Sequence, residues 1–418
     1  LMINKNLKIK NVKASIQENI VPIIFAVIAL IGLFLTKEAP LSIMNGLMQG
    51  FIGNALLVLA LLIPVMAGMG FNFSIVVGAI AGQIGIIMVV NFGLTGFGGL
   101  LAAVAFATPF AILFGILAGV VLNKARGYEM IASLFVGYVG TGIYQFILLY
   151  LMGSVIPITS SLLLTKGSGL KNAIYLNHTL GQSIDGLLQV PFFFLLMVAG
   201  LILLGLIIYT MKKEMINYNK TRVHSSIILT VAVIIISALI MYIDVLPKGI
   251  SALKDMKFPL ITGLLIGLLA ALHLLITRTK MGQAFLKVGL NEKNSKDSKG
   301  HVSKVRISAI VFSTVIAAWG QIIFLQNTGF LNTYSSHMNI GILATFSLIV
   351  GGASINKATV KNAFLGILLV QSFMIITPLW LEKIDPNSFE TVRVIIFNSV
   401  FLYAFVMSKG KKYNSDRL

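Results

Sequence analysis

Twelve stretches of this chain are apolar for about the length a helix needs to cross a bilayer, and short polar segments separate them. They fall at 20–36, 47–66, 71–90, 98–122, 128–152, 190–210, 225–243, 259–277, 307–325, 339–355, 362–380 and 391–407. A crossing helix takes roughly 20 residues to traverse about 30 Å. Only 11% of residues are charged, where soluble domains carry about 25%. The pattern predicts an all-α, polytopic membrane protein with about 10–12 transmembrane helices, a single membrane domain over 1–418. If two runs are re-entrant, the count falls to ten. The first run follows a basic leader without a small-residue cleavage site, so it reads as a membrane helix and not as a signal peptide.

The charges fix the expected orientation. With the N-terminus in the cytoplasm and strict alternation, inside segments hold 24 of the 32 basic residues, and inside and outside net +18 and +1. A miscounted helix would reverse every later loop and blur this bias. Both termini are therefore expected in the cytoplasm and the chain in the cytoplasmic membrane, with membrane lipids as its surroundings. The net charge of +19 sits in short clusters between apolar runs, without interleaved aromatics, so no nucleic-acid partner is expected. There are no cysteines, which excludes thiolate metal sites and cysteine nucleophiles. No cofactor or metal site is expected.

Two outer segments and one inner segment stand out. Residues 153–189 form the longest extracytoplasmic segment. Gln326–His337 is uncharged but rich in hydrogen-bonding side chains, which suits the entrance of a path, a docking surface or an ordinary polar loop. The inner segment, 278–306, carries eight basic residues against two acids. Within it Met281, Ala284, Phe285 and Val288 recur at helical spacing, Thr279 can cap the start and Gly289 can end the helix. The spacing predicts a short amphipathic helix whose Met281/Phe285/Val288 face seeks a partner groove. The alternative is a basic loop that only fixes orientation or rests on anionic headgroups.

No Asp, Glu, Lys or Arg lies deep in any run, which argues against a proton relay. His273 is expected near the water interface. Neutral polar residues do occur there: Asn54, Asn72, Gln83, Gln321, Gln371 and Asn398, with Tyr144 and Gln145. They suit helix–helix hydrogen bonds or the lining of a path for a neutral polar solute. The chain lacks a GxxxxGK[ST] phosphate loop, HExxH and GxSxG. It reads as a conduit without an engine of its own, and not as an enzyme.

Segment 278–306 resembles the cytoplasmic coupling loop of permease subunits of bacterial ABC importers for branched-chain amino acids, ribose-type sugars and nucleosides. That family's T-x-x-G-x-x-x-x-A-V-G-x-N run is met by Thr279, Gly282, Val288, Gly289 and Asn291, and its following G-[IV]-x-V-x-x-x-[KR] run by Gly300, Val302 and Arg306. Gly70–Gly85 and Gly127–Tyr138 resemble segments of the nucleoside branch through Asn72, Gly82, Gln83, Glu129, Leu134 and Tyr138. Gly351, Gly352, Ser354 and Gly366 match a Gly-rich segment near the end. The similarity covers about 45–150 and 260–375. It implies a type II importer-like fold with an internal pseudo-repeat, and transport of a nucleoside or simple sugar by alternating access. It also implies partners: cytoplasmic ABC ATPase subunits, a second permease subunit in a homodimer or heterodimer, and an extracytoplasmic solute-binding protein. In that reading Thr279, Met281, Gly282, Phe285, Val288, Gly289 and Asn291 couple to the ATPase. A stand-alone secondary carrier for a neutral solute is the rival expectation.

Overall fold

The computed structural model describes residues 20–36, 40–164, 169–213, 220–243, 248–290, 299–384, 390–399, 402, 403 and 406. Their order is α1 (Ile20–Leu35), α2 (Pro40–Ala60), α3 (Leu62–Met66), α4 (Ile75–Asn91), α5 (Gly96–Lys124), α6 (Glu129–Phe146), β1 (Ala173–Tyr175), β2 (Gln189–Pro191), α7 (Phe192–Lys213), α8 (Lys220–Tyr242), β3 (Lys257–Pro259), α9 (Leu260–Ile276), α10 (Lys280–Leu290), α11 (Lys299–Thr328), β4 (Phe330–Asn332), α12 (Ile340–Val350) and α13 (Val360–Ile384). Residues 390–399 are also helical. Among the described residues, seven helices are long and apolar enough to cross a membrane. The chain is a predominantly helical, multi-pass membrane protein.

α11 is the central post. It packs along α5, α4 and α2, while α13 packs on α2, α12 and α1. Lipid tails are as apolar as leucine, so helices in a bilayer associate through close packing more than through hydrophobic burial. The contact of α4 with α11 illustrates this: a Cβ at Gly78 or Gly82 would stand 2.5 Å from the carbonyl oxygen of Thr314 or Ala318. Large apolar side chains that would be a liability in water cover the outside, among them Leu113, Leu117, Leu206 and Phe135. α7 and α8 pack mainly on each other, as a peripheral hairpin. It is held at one end by the β2–β3 ribbon and by Phe193, Ile240, Leu253 and Met256 packed on α2.

The loops sort into two ends. At one, β1 pairs with β4, β2 pairs with β3, and Asn91 hydrogen-bonds Thr159 and Ser160. At the other, Asn123 donates to Ser303, Arg306 pairs with Glu129, and Gly289 abuts Met66 and Gly68. We call them the ribbon end and the basic end. Each of these contacts joins segments that strict alternation puts on one side.

Two of the apolar runs are not filled by long continuous helices. α4 has 17 residues and α12 only 11, about 16 Å of rise for the latter. Each follows an irregular stretch, 67–74 before α4 and 333–339 before α12, in which Phe71, Asn72, Ser74, Thr333 and His337 are buried. Non-helical backbone at membrane depth is tolerated where protein or a polar cavity surrounds it. The first turn of α12 lies against the first of these stretches: a Cβ at Gly341 would lie 3.1 Å from the Phe73 carbonyl oxygen.

The segment at 278–306 departs from the expected loop. α10 turns away from α9 by 69°, and α11 begins at Lys299, so residues 299–306 are helix. Arg306, counted above among the loop cations, is fully buried and paired with Glu129. His273 lies in the last turn of α9, where neighbouring elements bury it.

Candidate functional site

Two places carry the polar chemistry, a knob at the basic end and a node halfway along α4. The knob is α10. Thr279 caps it, its Oγ1 accepting from the Gly282 amide at 3.2 Å. Gly282 has no room for a side chain, because a methyl group there would overlap the Ile276 carbonyl at the bend. Phe285 and Val288 are buried inside this chain, at 1% and 2% exposure. The expected Met281/Phe285/Val288 docking face is therefore corrected: the apolar stripe is satisfied by the chain's own core, and only Met281 of the three is exposed. The outward face is Met281, Gln283, Lys287 and Leu290. The helix continues through Leu290, so Gly289 does not end it. Gly289 instead allows backbone contact, with a Cβ at Gly68 falling 2.8 Å from its Cα. Asn291 lies outside the described residues.

The node is built around Gln83, the middle residue of α4. Its Oε1 faces His337 Nδ1 at 3.1 Å, and the ring of Tyr144 meets the His337 ring edge-on at 5.1 Å between centroids. Gln321 of α11 donates to the Ser336 carbonyl at 3.5 Å. The stretch carrying Ser336 and His337 is tied down from the ribbon end. Tyr334 donates to the Leu170 carbonyl at 2.7 Å, Thr333 to that of Lys171 at 2.7 Å, and Gln145 to that of Tyr334 at 2.9 Å. Gln83 Nε2, Gln321 Oε1, Tyr144 Oη and His337 Nε2 are buried without a protein partner. Each such group costs about 1–3 kcal/mol if left unmade, so four in one cluster calls for an occupant, water or solute. Next to the node a cleft of about 130 Å³ opens between Phe73, Val76, Gly137, Thr141, Met338 and Gly341. An engineered protein cavity of about 150 Å³ holds benzene, so the cleft is about the size of one small ring.

The expected path residues thus divide. Gln83 and Gln321 meet at the node. Asn72 is buried at the foot of α4, where its Oδ1 accepts from the Ser74 amide and hydroxyl. Asn54 donates to the Gly50 carbonyl of its own helix, and Gln371 packs over Gly50, so this pair serves the α2–α13 contact. Asn398 is exposed and joins neither group. The sequence reading missed His337 as a site residue, because it closes a polar segment that looks like any loop. It also missed Asp185, whose buried carboxylate accepts from Thr262, Gln326 at 2.8 Å and Asn327 at 2.7 Å. That cluster staples the 177–187 segment to the ribbon ends of α9 and α11. No family model, curated protein or solved structure matches the chain.

Proposed function

We propose that this chain is the membrane-spanning subunit of an importer that moves a small, neutral polar solute and takes its energy from a partner ATPase. One observation carries the reading: the amphipathic knob α10 is seated, backbone against backbone, on Met66–Gly68, at the head of the irregular stretch that leads to the cleft and the node. A push on α10 therefore reaches Phe73 through a few covalently linked residues, and Gly341 through its contact with Phe73. That is the arrangement an external motor needs. The node's neutral amides, phenol and imidazole suit an uncharged cargo, and no carboxylate stands among them for a coupling ion.

The resemblance of Thr279–Asn291 to importer coupling loops supports the same reading. So does a proposed internal inverted repeat. α2, the stretch 67–74, α4 and α5 follow the same order as α11, the stretch 333–339, α12 and α13: a long helix, a break, a shorter helix, then a long helix with an internal proline, Pro109 or Pro378. Inverted repeats with broken helices at their junction are a recurrent transporter design. In this reading the basic end is cytoplasmic and the ribbon end meets a solute-binding protein.

The test is uptake by proteoliposomes. The chain alone should move neither ribose nor uridine down a gradient. Adding the cognate ATPase with ATP, and the solute-binding protein on the outside, should drive accumulation. Gradient-driven uptake by the chain alone would favour a secondary carrier instead.

A further inference from the structure

We infer that the Gln83–Tyr144–Gln321–His337 node is a binding station for the transported solute, and that it takes an uncharged group presenting a donor and an acceptor side by side. The substrate role rests on the importer reading; the existence of the station does not.

The argument starts from what each group still offers. With its oxygen turned to His337, Gln83 has its amide N–H groups free to donate. The same contact places the ring proton of His337 on Nδ1, which leaves Nε2 as an acceptor. Gln321 spends its amide nitrogen on the Ser336 carbonyl and has its oxygen free to accept. Tyr144 Oη can do either. Gln83, Gln321 and His337 have no solvent exposure at all, and Tyr144 is 3% exposed. The unmatched set is one donor, two acceptors and one hydroxyl that can serve either way. Such a set rejects ions of both signs, since neither would find a countercharge and both would lose their hydration. It suits the adjacent hydroxyls of a sugar or the amide edge of a pyrimidine base.

The groups also come from elements that can part. Gln83 and Gln321 stand on α4 and α11, which pack closely. His337 stands on an irregular stretch anchored from the ribbon end. The site is closed in this conformation. Withdrawal of 333–339 would break the His337–Gln83 and Gln321–Ser336 hydrogen bonds and open the node toward the adjoining cleft.

A structural role and a binding role make opposite predictions for shape-conserving, apolar substitutions. If the node only holds the fold together, Gln321→Met and Tyr144→Phe lower thermal stability. If it is kept polar for a ligand, removing an unmatched group raises stability and abolishes binding. The experiment uses the full chain in lipid nanodiscs without any ATPase. The probes are D-ribose and uracil, with their charged counterparts ribose 5-phosphate and orotate. We expect ribose, uracil or both to raise Tm by about 2 °C at saturation, and the charged counterparts to do nothing. Ribose acting alone identifies a hydroxyl pair, and uracil acting alone an amide edge. Gln321→Met and Tyr144→Phe should raise Tm without ligand and cancel the response. The station is refuted if neither neutral probe acts, if the charged probes act equally, or if the variants respond as the parent does. ATP-driven uptake unchanged in both variants would also refute it, while leaving the importer reading intact. Binding without ATP-driven uptake would leave the station and remove the importer.

Discussion

At the residue scale, the most informative positions are those where polarity or charge is enclosed. Phe285 is one where it must not be. The sequence suggests that Phe285→Asp would leave the fold intact and only uncouple it, but at 1% exposure the side chain has nowhere to put a carboxylate. We expect this variant to lose about 3 kcal/mol or more, read as a lower Tm and poor monodispersity in detergent. A Phe285→Asp protein as stable as its parent would mean that α10 does not pack as described. Glu129 and Arg306 provide a second test. They join the start of α6 to the start of α11, and Arg306 has no solvent exposure. Removing one partner of a buried pair costs about 3–5 kcal/mol, whereas replacing both with apolar groups often costs far less. Glu129→Met alone should therefore destabilise more than Glu129→Met with Arg306→Met, as measured by a thermal double-mutant cycle. Additive losses would show that the pair has no coupling.

At the element scale, α10 separates what the sequence reveals from what it hides. Its existence, cap and amphipathic stripe are legible in Thr279, Met281, Phe285 and Val288. The identity of the covering surface is not, because a stripe says that one face needs cover and not whose cover it is. Here Met66, Gly68 and the α11 side supply it from within the chain. The exposed corners, Met281 at 45% and Leu290 at 80%, are what remains for a partner. Met281→Asp and Leu290→Asp should leave Tm within about 1 °C of the parent, since surface changes cost little. Both should cut ATP-driven uptake about tenfold or more, in keeping with the loss of a contact residue. Unchanged uptake in the double variant would free α10 from the coupling role. The breaks at 67–74 and 333–339 were illegible for a different reason. Hydropathy reads Phe71 to Val90 as one run although its first residues are irregular, and it reads 333–339 as an ordinary polar loop although His337 in that stretch is buried against Gln83.

At the scale of the whole molecule, seven of the twelve apolar runs coincide with described helices long and apolar enough to cross a bilayer, which allows few alternatives to helices. Long-range pairings such as β1 with β4 leave no periodic trace in sequence. They nevertheless test the alternation independently, since each ties together loops that the charge count puts on one side. What they do not give is which end faces the cytoplasm, and that decides whether α10 can meet an ATPase at all. The absence of native cysteines makes the measurement direct. Tyr175 is 73% exposed at the ribbon end, and Lys287 lies on the outward face of α10 at the basic end. Single Tyr175→Cys and Lys287→Cys variants in intact cells, treated with a membrane-impermeant maleimide, should differ completely. The first should label at once and the second only after permeabilisation, because strict alternation puts 24 of the 32 basic residues on the side of Lys287 and basic loops favour the cytoplasm. Labelling of Cys at position 287 in intact cells would turn the molecule over, put the knob beyond the reach of ATP, and leave a gradient as the source of energy for the node.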